Sequence, residues 1–232
     1  MANYFIIGGS SGIGKRLSSQ LAEAGHQVFS TYFKNRAEPE HPSISCHYLN
    51  VLDENIDLDF LPETLNGLIY CPGSINLRPF ARLNPADFTT DFNLQVVGAI
   101  KVIQAALPKL KASSNSSIVL FSTVAVQSGF NYHSLVSTSK GAIEGLTKAL
   151  AAEFAPTIRV NCIAPSLTDT PLAANFINTT TKLETNAQRH PLKRIGTTED
   201  IANMAEFLLS EKSGWITGQI LHVDGGISTL KI

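Results

Sequence analysis

A single α/β domain built on a doubly wound parallel sheet is the fold class that this 232-residue sequence predicts. Short apolar runs alternate with longer stretches of helical period, the pattern of strands buried on both faces beneath helices. A glycine-rich turn, Gly8-Gly9-Ser10-Ser11-Gly12-Ile13-Gly14, follows the first apolar run and opens the first helical stretch. No internal repeat or shift in composition marks a boundary, so residues 1–232 read as one unit with enough chain for a substantial core.

The strands are expected at Tyr4–Ile7, Gln27–Thr31, Cys46–Leu49, Gly67–Cys71, Ser117–Phe121, Arg159–Ile163 and Gln219–Val223. Ile13, Leu17, Leu21 and Ala24 recur at helical spacing, and Gly25 suits the stop position after that helix. Asn84 caps a further helix with Pro85 at its first position, and the stretch through Leu110 reads as one bent helix or two. Ala142, Ile143, Leu146, Ala149, Leu150 and Phe154 mark the apolar side of a helix that also carries Lys140, with Pro156 just past its end. Thr197-Thr198-Glu199-Asp200 opens the last long helix, hydroxyl caps followed by acids in the first turn. Between them, Asn175–His190 is rich in Thr and Asn, and a substrate lid is expected around residues 170–195.

Hydrophobic residues make up 44% and charged residues 16% of the chain, which fits a packed globule and excludes disorder. A net charge of −1 gives no electrostatic case for nucleic acid or an anionic membrane surface as partner. The apolar run before Gly8 is too short for a signal segment and is needed as the first strand, and no stretch approaches the ~20 apolar residues of a membrane span. A cytoplasmic location is expected. Cys46, Cys71 and Cys162 show no CxxC or Cys/His spacing, so buried thiols are expected and no metal site.

Glycines in a strand-to-helix turn let the backbone approach a pyrophosphate while helix N–H groups point at the anion. The spacing here is G-x-x-x-G-x-G, and tight packing alone is the alternative explanation for it. Taken together, Gly8–Gly14, Asn93, Ser139-Lys140-Gly141-Ala142 and Arg159-Val160-Asn161-Cys162-Ile163-Ala164-Pro165 resemble the short-chain dehydrogenase/reductase family. The ending Ile216-Thr217-Gly218-Gln219, then Val223-Asp224-Gly225-Gly226, is similar to that family's C-terminal signature. The resemblance spans essentially the whole chain. It implies a Rossmann-type sheet of seven strands, a nicotinamide dinucleotide, a small-molecule carbonyl or alcohol substrate, and a homodimer or homotetramer.

Position by position, the resemblance implies that Gly8, Ser10, Ser11, Gly12, Ile13 and Gly14 hold the pyrophosphate. Asn50 and Val51 lie beside the adenine, while Cys71 and Gly73 follow the fourth strand. Pro165, Leu167 and Thr168 line the nicotinamide end. Lys140 matches the lysine that bonds the nicotinamide ribose, Asn93 the asparagine that supports a relay water, and Thr123 the serine that orients the substrate carbonyl. A plain strand-end threonine is the other reading of Thr123. Val136, one helical turn before Lys140, stands where the family has its proton-donating tyrosine. General acid–base help is worth ~10²–10⁴ in rate, so this departure bears on turnover and not on cofactor binding. Pro72, and Ser166 in place of a glycine after Pro165, are two further departures.

Tyr132 and His133 are the candidates to replace the missing acid: with a helix beginning there, Tyr132 lies one further turn from Val136 on the same side. The alternative is that both merely line the pocket or its loop. At the end of the second strand, Tyr32 replaces the acid expected of an NAD site, and Lys34 and Arg36 follow with no carboxylate between them. NADP(H) is therefore favoured over NAD(H), against the alternative that both cations only solvate a loop. Two functional readings result: an NADP(H)-dependent oxidoreductase with a non-standard proton donor, or a dinucleotide-binding partner or sensor without turnover.

Overall fold

In the structure, a computed structural model that describes residues 1–36 and 38–231, alternation along the strands divides the core into two layers. The strands are β1 (Asn3–Ile7), β2 (Gln27–Tyr32), β3 (Ile44–Tyr48), β4 (Gly67–Tyr70), β5 (Ser116–Phe121), β6 (Ile158–Pro165) and β7 (Ile220–Val223). Among the described residues they form one sheet in the order β3-β2-β1-β4-β5-β6-β7, every neighbouring pair parallel. Each expected strand is present, its ends displaced by two residues at most.

Phe5 and Ile7 of β1, with Leu68, Ile118, Leu120 and Val160, pack under α3 (Gly98–Lys111) and α5 (Ser134–Phe154). Tyr4 and Ile6, with Ile69, Val119 and Ile163, face the other way, under α1 (Gly12–Glu23) and α8 (Thr198–Leu209). Burial on both faces is why these strands read as continuous apolar runs. The sheet order reverses between β1 and β4, and the helices that follow them leave toward opposite faces. The carboxyl ends Ile7 and Tyr70 therefore border the crevice where such sheets bind ligands.

Local chemistry sets the helix ends. Gly25 adopts φ +85° and its N–H donates to the Ala22 carbonyl, closing α1. Asn84 and Asp87 form a reciprocal capping box at the start of α2 (Pro85–Phe92), and Thr197 and Asp200 do the same for α8. The stretch through Leu110 is one continuous helix whose middle, Asn93–Val97, is a wider π-helical turn joining α2 to α3. The expected lid is ordered as a 3₁₀ turn at Pro171–Ala173, α6 (Ala174–Ile177) and α7 (Thr180–Gln188), and a short α4 (Ala125–Ser128) precedes α5. No described helix is long and apolar enough to cross a membrane.

Candidate active site

A cavity of about 800 Å³ opens along the carboxyl edge of the sheet, lined by Ile7, Tyr32, Cys71, Phe121 and Pro165 at or just past five strand ends. The glycine turn forms one wall. Gly8 and Gly12 take φ +77° and +55°, a left-handed geometry that favours glycine. A Cβ on Gly14 would lie 2.5 Å from the Gly8 carbonyl oxygen, and one on Gly9 would lie 2.1 Å from Ser30 Oγ. Thr31 Oγ1 accepts the Gly8 N–H at 3.1 Å and so fixes the turn to β2. Ser11 caps α1 with extended backbone and no side-chain hydrogen bond, leaving the first-turn N–H groups for an anion. Ser10, Ser11, Gly12, Ile13 and Gly14 all line the cavity, so these residues fit a dinucleotide pyrophosphate.

At the adenosine end, Tyr32, Lys34, Asn50 and Val51 line the same cavity, whereas Arg36 is exposed and lies outside the lining. Arg36 thus leaves Lys34 as the cation at this end of the wall. The Asn50 amide is engaged in its own turn, donating to Asp53 Oδ1 at 2.6 Å and accepting the Leu52 N–H at 3.2 Å. At the far end, Gly73, Thr123, Val136, Lys140, Leu167 and Thr168 converge. Burial pushes the Lys140 ammonium down to about 8, its charge only partly supported by Asp91. Burial also pushes the Cys71 thiol beside it up to about 12. Thr123 Oγ1 accepts the Ala125 N–H at 3.3 Å, which leaves its hydroxyl proton for the cavity. Val136 is 6% exposed and presents only methyl groups.

Besides Arg36, two expected site residues lie outside the lining. Asn93 is exposed and outside the cavity, because the π turn begins there and brings position 95 inward instead. Gln95, fully buried, lines the cavity with its Oε1 unpartnered among the described atoms. A Cβ on Gly73 would lie 3.4 Å from that oxygen and 3.7 Å from Lys140 Nζ, so both groups flank one spot. The Gln95 Nε2 donates to the buried Asp91 carboxylate at 2.7 Å, which also accepts from Ser139 Oγ at 2.6 Å and from Ser74 Oγ. No local signal marks Gln95 in the sequence, because the wide turn at Asn93–Val97 resets which positions face inward.

Tyr132 is the second correction. Helix α5 starts at Ser134, so Tyr132 lies before it with φ +69°, 57% exposed and outside the cavity lining. His133 does line the cavity, donating from Nδ1 to the Asn131 carbonyl at 2.8 Å. Residues the sequence did not single out complete this end: Phe176 of α6 and Asn186 of α7, then Arg189 and His190. The Arg189 guanidinium lies 5.6 Å from the Phe130 ring centre, a cation–π contact across the mouth. His190 is 3% exposed, with Nδ1 2.8 Å from the Asn186 carbonyl and Nε2 2.8 Å from Ser166 Oγ.

A glycine turn that fits a pyrophosphate and a buried lysine on one cavity are the features of a dinucleotide-binding α/β protein. A family model described as Enoyl-(Acyl carrier protein) reductase matches residues 54–228. Uncharacterized oxidoreductase YmfI of Bacillus subtilis is 30% identical over 235 residues, covering 95% of this chain and 96% of its own. A tropinone reductase homolog of Arabidopsis thaliana is 30% identical over 240 residues, covering 96% of this chain and 90% of its own. The solved structure of ElxO with NADP bound superposes with a TM-score of 0.87 at 27% identity, covering 99% of this chain and 100% of that one. This chain belongs to the short-chain dehydrogenase/reductase family.

Proposed function

We propose that the protein is an NADP(H)-dependent oxidoreductase acting between a small-molecule carbonyl and the corresponding alcohol, with a proton donor other than the family's tyrosine. The bound nicotinamide would supply or accept the hydride. Lys140 would hold the nicotinamide ribose, Gln95 Oε1 would accept from a water or from the lysine ammonium, and Thr123 would donate to the substrate oxygen. The observation that carries the reading is the charge of the cavity wall. At the Tyr32 end of the wall Lys34 is the cation, and none of the described lining residues is Asp or Glu, which favours a ligand with an extra phosphate. A homodimer or homotetramer goes with this reading, as the family resemblance implies.

Fluorescence titration with NADPH and NADH tests the cofactor, and nicotinamide absorbance with a panel of ketones, aldehydes and alcohols tests the chemistry. NADPH should bind more tightly, and Lys34→Ala should narrow the gap; equal affinities in the unmutated protein would overturn the preference. A second reading, a dinucleotide-binding protein without turnover, is favoured by Val136. It predicts NADPH binding with no hydride transfer across the whole panel.

A further inference from the structure

We propose that Ser166 and His190 form the proton relay of this active site, an inference that rests on the oxidoreductase reading above. Ser166 is the first residue after β6, and the Pro165 carbonyl before it accepts the Val124 N–H at 3.1 Å. Ser166 and Thr123 therefore occupy neighbouring strand ends, and both line the cavity at the end that holds Lys140. Ser166 Oγ lies 2.8 Å from His190 Nε2. The ring's other nitrogen, Nδ1, lies 2.8 Å from the Asn186 carbonyl, which can only accept, so Nδ1 carries a proton in either charge state. Gly225 lies beside the ring, where an added Cβ would be 3.6 Å from the His190 Cδ2.

That orientation leaves Nε2 as the nitrogen that gains or loses a proton, and it faces a hydroxyl open to the cavity. A neutral ring accepts the serine proton; an imidazolium donates to Ser166 Oγ and turns the serine hydroxyl proton toward substrate. Arg189 and Lys193 are the charged groups on the same turn and Asp224 adjoins Gly225, while His133 and Lys140 line the same cavity. In reduction, a bound nicotinamide would supply hydride to the carbonyl carbon as the two-electron reductant, leaving the C=O π pair on oxygen. That oxygen takes the Ser166 proton, Ser166 Oγ takes the Nε2 proton, and water reprotonates the neutral imidazole. Oxidation of an alcohol runs the same transfers backward.

Two measurements test the relay, one of them on the protein without cofactor. In ¹⁵N NMR of the cofactor-free protein, neutral His190 should be the Nδ1–H tautomer, and Ser166→Ala should move its Nε2 resonance. An Nε2–H tautomer would overturn the relay. With NADPH and the carbonyl panel, Ser166→Ala and His190→Gln should each lower kcat by ~10²–10⁴, with NADPH affinity changed less than about threefold. The double variant should be no slower than the worse single one, because the two act as a unit. Ser166→Thr, which keeps the hydroxyl, should recover part of the loss. Ser166→Ala does not depend on refilling the buried imidazole site, so it stands if His190→Gln fails to fold. Full turnover in Ser166→Ala sinks the relay while leaving the oxidoreductase reading intact, and shifts the role to His133 or to water. A wild type that binds NADPH but transfers no hydride to any probe sinks both.

Discussion

Lys140 is the side chain whose protonation the fold controls most directly. Its ordinary pKa of 10.5 falls to about 8 through burial. Between those values the unfolded chain holds a proton that the folded chain has released, so this group makes stability rise with pH across that window. Below about 8 both states are protonated and the desolvation cost is fully present. Lys140→Met should remove that cost, and its stability advantage should shrink from pH 8 to pH 10.5 by at most about 3 kcal/mol. Cys71 and Cys162, both pushed up to about 12, act in the opposite direction above their ordinary value of 9.0. The difference between wild-type and variant urea midpoints is therefore the measurement, and pH-independent spacing of the two curves would contradict the claim. Asp91 offers a second test. Its buried carboxylate accepts three hydrogen bonds, and Asp91→Asn removes the charge and puts an NH₂ where one accepting oxygen stood, so at least one of the three bonds is reversed or lost. A loss of roughly 1–3 kcal/mol is expected, together with lower kcat as Gln95 loses its anchor; unchanged urea midpoint and kcat would refute this.

Among the elements, the glycine turn is the least tolerant of change. Gly14→Ala drives a Cβ to 2.5 Å from the Gly8 carbonyl oxygen, a backbone atom that cannot swing aside. It should cost about 1–3 kcal/mol by overpacking and weaken NADPH binding at least about tenfold, since the turn must open. Thermal melts and NADPH titration check both effects; wild-type values would show that the turn has slack. The helix ends set by Asn84 and Thr197 were legible in the sequence because a cap depends on residues within one turn. Tyr132 was misplaced for the complementary reason: its left-handed backbone is imposed by the loop that brings His133 to the cavity, and nothing local announces it. Asn93 failed because a single wide turn changes which positions of a helix face inward. The segment at 170–195 read as a lid by composition alone. Thr179, whose hydroxyl caps α7, was the unused signal that it is helical.

At the scale of the whole molecule, the outer face of α5 exposes Gly145, Ala149 and Ala152, small residues that permit close approach of a second helix. We expect a C₂-related homodimer or a homotetramer across α5 and the α2–α3 helix. Gly145 has nothing within 4 Å of an added Cβ, so Gly145→Arg should leave the subunit's melting temperature intact and yield a smaller species in light scattering. A monomeric wild type at micromolar concentration would refute the expectation. The sequence by itself determined the parallel sheet, its seven strands, the glycine turn and the family. Each follows from patterns within one element or from motifs in fixed order, where period, cap and glycine act over a few residues. The tertiary structure decided which side chains share the cavity: Gln95 rather than Asn93, His133 rather than Tyr132, Lys34 without Arg36, and Ser166 bonded to His190. Those pairings turn on helix register and loop path, and a shift of one residue or about 100° around a helix moves a side chain from cavity to solvent.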